Sequence, residues 1–171
     1  MLRLTFDDLA KAFRTHRSAF HLETRDDYLG VPGESEEMHR FYDGHPPDPA
    51  FGEVWQALMR EVTGEGCQVR RVRVISEPWG EYTRFSLGTT YANMEAGEDI
   101  RWLPRHDAPP DLPADDWWLF DDQLAAFTVF DHDGTAEPGW VATTDPVITK
   151  HYAARREELW SRAISHYEYA K

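Results

Sequence analysis

The spacing of apolar residues along this chain is helical near the start, strand-like through the middle and helical again at the end. Phe6, Leu9 and Phe13 follow Thr5, with Asp8 placed to complete a capping box, which predicts a helix ending near His16. Phe20 and Leu22 then alternate with His21 and Glu23 as a short extended segment, and Val-Pro-Gly at 31–33 reads as a turn. Ser35 caps a short acidic helix through Tyr42, closed by Gly44. Asp48 and Pro49 open another, on which Phe51, Trp55, Leu58 and Val62 share one face. From Gln68 to Ile75 the period is two. Glu81–Tyr91 reads as the hairpin partner of that strand, across a turn at Pro78 and Gly80. Further strands are expected at Ile100–Leu103, in WWLFDD from Trp117, in LAAFTVF from Leu124, and at Trp140–Ala142. Asp145-Pro146 starts a long C-terminal helix with an apolar stripe from Val147 to Tyr167.

Helices, then antiparallel strands, then a helix argue for an α+β fold. The expectation is one domain over 1–171, an antiparallel sheet of about five to six strands with N-terminal helices and a long C-terminal helix packed on it. At 171 residues, 41% of them hydrophobic and seven of them Trp, a core burying roughly 70% of the unfolded surface is within reach.

Charge narrows the partners. With 18 basic against 31 acidic residues the net charge is −13, which repels nucleic acid and anionic membranes, so neither is expected as a direct partner. No stretch approaches the ~18 apolar residues of a membrane span, and the N-terminus lacks the apolar run of a signal peptide. Cys67 is the only cysteine, so no intramolecular disulfide forms. A cytoplasmic location follows as the expectation.

Against that charge, arginine is concentrated at Arg70, Arg71, Arg73, Arg84, Arg101 and Arg105. On a strand Arg71 and Arg73 share one face, while Arg70 shares the other with Val72 and Val74. Paired with Tyr82 and Arg84 on a hairpin partner, and joined by Arg101, they form a candidate site for an anion. The other reading pairs these cations with the chain's own carboxylates, among them Glu98. Glu98 and Asp99 point to opposite faces and make a poor acid/base dyad alone. The acids bracketing Trp117–Phe120 read as charge protection of an edge strand. Asp131-His132-Asp133-Gly134 starts like a calcium loop, but the position needing a bidentate Glu is Ala142, so it reads as a turn. No HExxH, GxSxG, SxxK, GxxxxGK[ST] or GxGxxG motif occurs, so no metal or cofactor is expected. Adjacent Trp117 and Trp118 face opposite sides of their strand. Either both sides are covered, or one Trp, with Trp118 as the candidate, is an exposed contact.

These motifs resemble a family of uncharacterised actinobacterial proteins, a domain of unknown function. The resemblance runs through FDDL at Phe6–Leu9, SAFxLET at Ser18–Thr24 with Tyr28, and RRVRVxxEP at 70–78. It continues through Tyr82, Arg84, AGEDIRxLPR at Ala96–Arg105, and WxLFDD at Trp117–Asp122. SLGTTYANM at Ser86–Met94 departs from it, being less aromatic than expected. The resemblance implies a small cytoplasmic protein, often encoded beside Xre-type helix-turn-helix regulators, and no activity or catalytic residue. Three readings stay open. One is a non-enzymatic accessory module binding a helix-turn-helix regulator or a small anionic ligand through Arg71, Arg73, Tyr82, Arg84 and Arg101. Another is an enzyme on an anionic small molecule, with Glu98, Asp99 or Glu77 as acid or base. The third is a toxin-neutralising interaction protein anchored by an exposed tryptophan.

Overall fold

The computed structural model describes residues 1–28, 31, 33–48 and 50–171. Among them the elements run β1 (Leu2–Leu4), α1 (Phe6–Thr15), β2 (Ser18–Glu23), α2 (Glu34–Tyr42), α3 (Glu53–Gly64) and β3 (Gln68–Ile75). Then follow α4 (Glu81–Glu95), β4 (Asp99–Pro104), β5 (Trp117–Phe120), β6 (Leu124–Phe130), β7 (Ala136–Thr143), α5 (Pro146–Arg162), β8 (Ile164–Ser165) and α6 (His166–Tyr169).

The eight strands form one mixed sheet in the order β1-β7-β6-β5-β2-β3-β4-β8. The α+β class holds, but the antiparallel sheet of five to six strands does not. β2 pairs with β3, and β3 with β4, in parallel, while the other pairings are antiparallel. The correction centres on α4. Glu81–Glu95 is a helix and not the hairpin partner of β3, so it serves as the crossover that a parallel β3–β4 pair requires. Its buried residues include Thr83, Ser86, Leu87 and Thr90, spaced for a helix, but mostly too polar to mark an apolar face. Two further strands, β1 and β8, are three and two residues long and give no period to detect.

The caps explain which starts were legible. Thr5 Oγ1 accepts the Asp8 amide at 3.2 Å, and the Asp8 carboxylate accepts the Thr5 amide at 2.9 Å. Asp145 Oδ1 accepts the Val147 amide at 2.8 Å and starts α5. The cap expected at Ser35 lies two residues earlier, at Gly33, and α2 begins at Glu34. Asp48 accepts the Ala50 amide in a local turn, while α3 begins only at Glu53; Pro49, and Pro32 of the expected turn, lie outside the described residues. The C-terminal helix ends at Arg162, before β8 and α6.

Strand alternation sorts the core into two faces. Phe20, Leu22, Val72, Val74, Leu103, Trp117 and Leu119 pack beneath Leu159 and Ala163 on the α5 side. Ala19, Val69, Trp118, Phe120 and Ala126 pack against Leu9 and Phe13 of α1 and Leu58, Met59 and Val62 of α3. β5 lies inside the sheet between β6 and β2, so the edge-protection reading of its acids fails. Asp121 and Asp122 both have positive φ, 45° and 59°, as the central pair of the β-turn from Phe120 to Gln123 that joins β5 to β6. The Asp121 carboxylate accepts the Arg17 and Ser18 amides and the Ser18 hydroxyl, fastening the start of β2 to that turn. No helix of the described residues is long and apolar enough to cross a membrane.

Candidate functional site

Register decides where the arginines go. His21 lies opposite Arg71, and Glu23 opposite Arg73, so all four project from the same face of β2 and β3. Trp118 of β5 lies opposite His21 and joins them. The two rings stack with centroids 4.1 Å apart and planes 4° from parallel.

Arg71 is the centre of a chain of charges. Its Nε and NH2 meet Glu98 Oε2 at 3.0 and 2.9 Å, and its NH1 donates to Glu23 Oε1. Glu98 also accepts the indole N–H of Trp55. Arg73 Nε lies 2.6 Å from Glu23 Oε2, off the line of a hydrogen bond, so this contact is an ion pair held by charge. Its NH1 donates to Thr90 Oγ1 on α4 at 3.3 Å. The sequence Glu98–Arg71–Glu23–Arg73 thus alternates in sign.

The titration behaviour follows from that order. Burial opposes ionisation of Glu23, but Arg73 and then Arg71 outweigh it and hold its pKa at about 2. Burial likewise opposes the charged Arg71, and Glu98 and Glu23 overcome it, raising its pKa. His21 is pushed down to about 3, first by burial and then by Arg71, so it is neutral at pH 7.

Above this floor lies a cavity of about 880 Å³, walled by α2, α3, α4 and the β6–β7 hairpin. Trp55, Trp118, Phe51, Phe85, Tyr28 and Tyr82 supply its aromatic surface. Asp116 reaches it too, accepting the Thr24 amide and hydroxyl at 2.8 Å each and the Tyr28 hydroxyl at 2.6 Å. Burial raises the pKa of Asp116, and likewise that of Glu34 on α2. Glu34 Oε1 accepts the Tyr82 hydroxyl at 3.0 Å.

The expected site residues divide. Arg71, Arg73, Tyr82 and Trp118 line the cavity, and Glu98 lies beneath it, bound to Arg71. Tyr82 gets there from a helix, not from a strand. Arg84 is exposed on α4 outside the lining. Arg101 projects from the opposite face, its guanidinium 3.9 Å from the Trp160 ring centroid, with Arg70 at 5.1 Å. Arg105 donates to Ser76, to the Thr24 carbonyl and to Asp26, clamping a loop. Of the arginines expected to converge on an anion, the two that reach the cavity are matched by carboxylates. Trp117 and Trp118 are both buried, so neither is an exposed anchor. His21, Glu23, Trp55 and Glu34 are the residues that sequence reading missed. The alternation of His21 and Glu23 with Phe20 and Leu22 signalled the first two.

A family model described as a domain of unknown function, DUF6879, matches residues 5–171. The chain belongs to this family. No curated protein matches it. Among solved structures this DUF6879 chain is similar to TrmBL2, an archaeal chromatin protein whose structure is described as showing a novel mode of DNA binding. The identity is 10% and the TM-score 0.48, over 91% of this chain and 49% of that one. The DUF6879 chain thus spans about half the length of the structure it matches. The expectation of no direct nucleic-acid partner stands against a neighbour described by its DNA binding, and it is not retained. At that TM-score the likeness carries no argument about what the DUF6879 chain itself binds. Neither the actinobacterial origin nor the regulator neighbours implied by the resemblance are part of the match.

Proposed function

We propose that this chain is a non-enzymatic binding module whose cavity takes a small, largely apolar molecule. The observation that carries this reading is the cavity of about 880 Å³ with aromatic walls and a floor whose cations are already neutralised. That volume falls in the range of small-molecule sites, roughly 300–1,000 Å³. Ordered ion pairs in the floor fix the shape of the cavity before any ligand arrives, which lowers the cost of binding. Against an enzyme stands the scatter of the expected acids and bases. Glu98 is engaged by Trp55 and Arg71, Asp99 is exposed on β4 near Arg101, and Glu77 contacts Tyr169.

The test is thermal stabilisation by a neutral aromatic probe, 2-(1-naphthyl)ethanol, on the intact chain and on a Thr89→Trp variant. Thr89 lines the cavity from a half-buried position on α4, so an indole there fills space without entering the core. The expected result is a rise in melting temperature with probe concentration in the parent and none in the variant. Equal responses, or no rise in the parent, overturn the reading.

A further inference from the structure

The charges around the cavity narrow its ligand further, an argument that rests on the binding-module reading. Six carboxylates line it, those of Glu23, Glu34, Glu37, Asp48, Asp116 and Glu137, against the two guanidiniums of Arg71 and Arg73. The guanidiniums are matched by Glu98 and Glu23. Four further acids are also engaged: Glu37 accepts the Asp48 amide at 3.0 Å, the exposed Asp48 carboxylate accepts the Ala50 amide at 2.8 Å, Glu137 pairs with Arg3 at 2.8 Å, and Asp116 takes three donors.

Glu34 differs. One oxygen accepts the Tyr82 hydroxyl, and the other has no hydrogen-bond partner among the described residues. It is half-buried at the first position of α2, where the helix dipole favours its ionised form. Tyr82 stands with Tyr28 beside it, their ring centroids 5.6 Å apart, and π-faces attract cations. Desolvation penalises an unpaired carboxylate, and an ammonium placed against it removes that penalty.

We infer that the cavity takes a cationic amine with an aromatic or other apolar body, its ammonium held by the free carboxylate oxygen of Glu34 beside Tyr82 and Tyr28. The apolar body then lies toward Trp55 and Trp118, whose ring centroids are 5.7 Å apart. Arg73 is the group that would favour an anion, and its pairing with Glu23 is what cancels that preference.

Three probes of one shape separate the possibilities: 2-(1-naphthyl)ethylamine, 2-(1-naphthyl)ethanol and 3-(1-naphthyl)propionate, titrated calorimetrically at pH 7. The amine is expected to bind at least about tenfold more tightly than the alcohol, as one charge-assisted hydrogen bond allows. The carboxylate is expected to bind most weakly. Glu34→Gln, a substitution of equal size at a helix start, should bring the amine down to the alcohol while leaving the alcohol unchanged. Tyr82→Phe should retain most of the preference, because the carboxylate stays. Equal affinities of amine and alcohol in the parent, or a preference for the carboxylate, overturn the amine inference and leave the binding module standing. Failure of all three probes to bind overturns both.

Discussion

The two faces of β3 treat the same residue type in opposite ways. On the cavity face Arg71 and Arg73 are enclosed and each meets a carboxylate, with Glu23 shared between them. On the α5 face Arg70 and Arg101 lie over the edge of an apolar core and rest on Trp160, with the Asp99 carboxylate 4.0 Å from Arg101. The first arrangement makes the floor of a cavity and depends on every member. The second covers an indole and depends on little. A run of arginines in a strand is therefore no single feature, because the side chain's neighbours on its own face decide its role.

The largest effect should come from breaking the enclosed face at its centre. Arg71→Met keeps the side chain's length and apolar stem but leaves Glu98, which is 3% exposed, without its cation, and takes one of two from Glu23. Removing one partner of a buried pair costs about 3–5 kcal/mol. Urea denaturation should show that loss, and a second substitution, Glu98→Gln, should restore part of it by removing the orphaned charge. A loss below 1 kcal/mol would place the ladder in solvent and erase the contrast between the faces.

How far the sequence revealed this contrast can be followed residue by residue. Alternation alone placed Arg71 and Arg73 on one face and Arg70 with Val72 and Val74 on the other. It could not supply their partners, since Glu23 and Glu98 lie 48 and 27 residues from Arg71. Bringing Glu23 to Arg71 and Arg73 needs the parallel β2–β3 register, and that register was hidden with the crossovers. In α4, Thr, Phe and Tyr suggest a strand, Gly80 offers no side-chain cap, and the buried side is made largely of Thr and Ser. Tertiary packing overrode local preference there. By contrast α1 and α5 were legible because their caps are spelled out in Thr5-Asp8 and Asp145-Pro146.

A smaller, pH-dependent effect should also belong to the cavity face alone. His21 titrates at about 3 in the fold and near 6.5 when free, so the folded chain binds fewer protons between those values. Stability from this group is complete above pH 6.5 and is lost as pH falls toward 3. Glu23, lowered from 4.5 to about 2, adds a loss of the same sign below pH 4.5. Glu34 and Asp116, both raised by burial, act in the opposite direction, and His166, lowered by burial, acts in the same one. His21→Phe keeps the stack on Trp118 and removes only the first contribution. Its melting temperature should therefore fall less between pH 7 and pH 5 than the parent's. Identical falls would show that His21 is charged in the fold. No carboxylate or histidine among the described residues is buried against α5, so that face contributes no comparable slope.

The smallest effect should come from the α5 face itself. Arg101 is 30% exposed, sits 3.9 Å from the centroid of the Trp160 ring, and donates weakly to the Trp160 carbonyl at 3.4 Å. A cation over an indole at such an exposed place contributes about 0.5–1 kcal/mol. Arg70 reaches the same ring from 5.1 Å, so Arg101→Ala leaves one guanidinium in contact. The single change should therefore fall at the low end of that range. Arg70→Ala and Arg101→Ala together should cost more than the two singles added, because only the pair strips the ring of both cations. Salt sharpens the point, since screening weakens exposed ion pairs while the stacked stem and ring stay buried together. If Arg101 owes its place to Asp99, 1 M salt will abolish the cost of Arg101→Ala. If it owes it to Trp160, most of that cost will persist, and an effect above 2 kcal/mol would mean that the two faces are not different in kind.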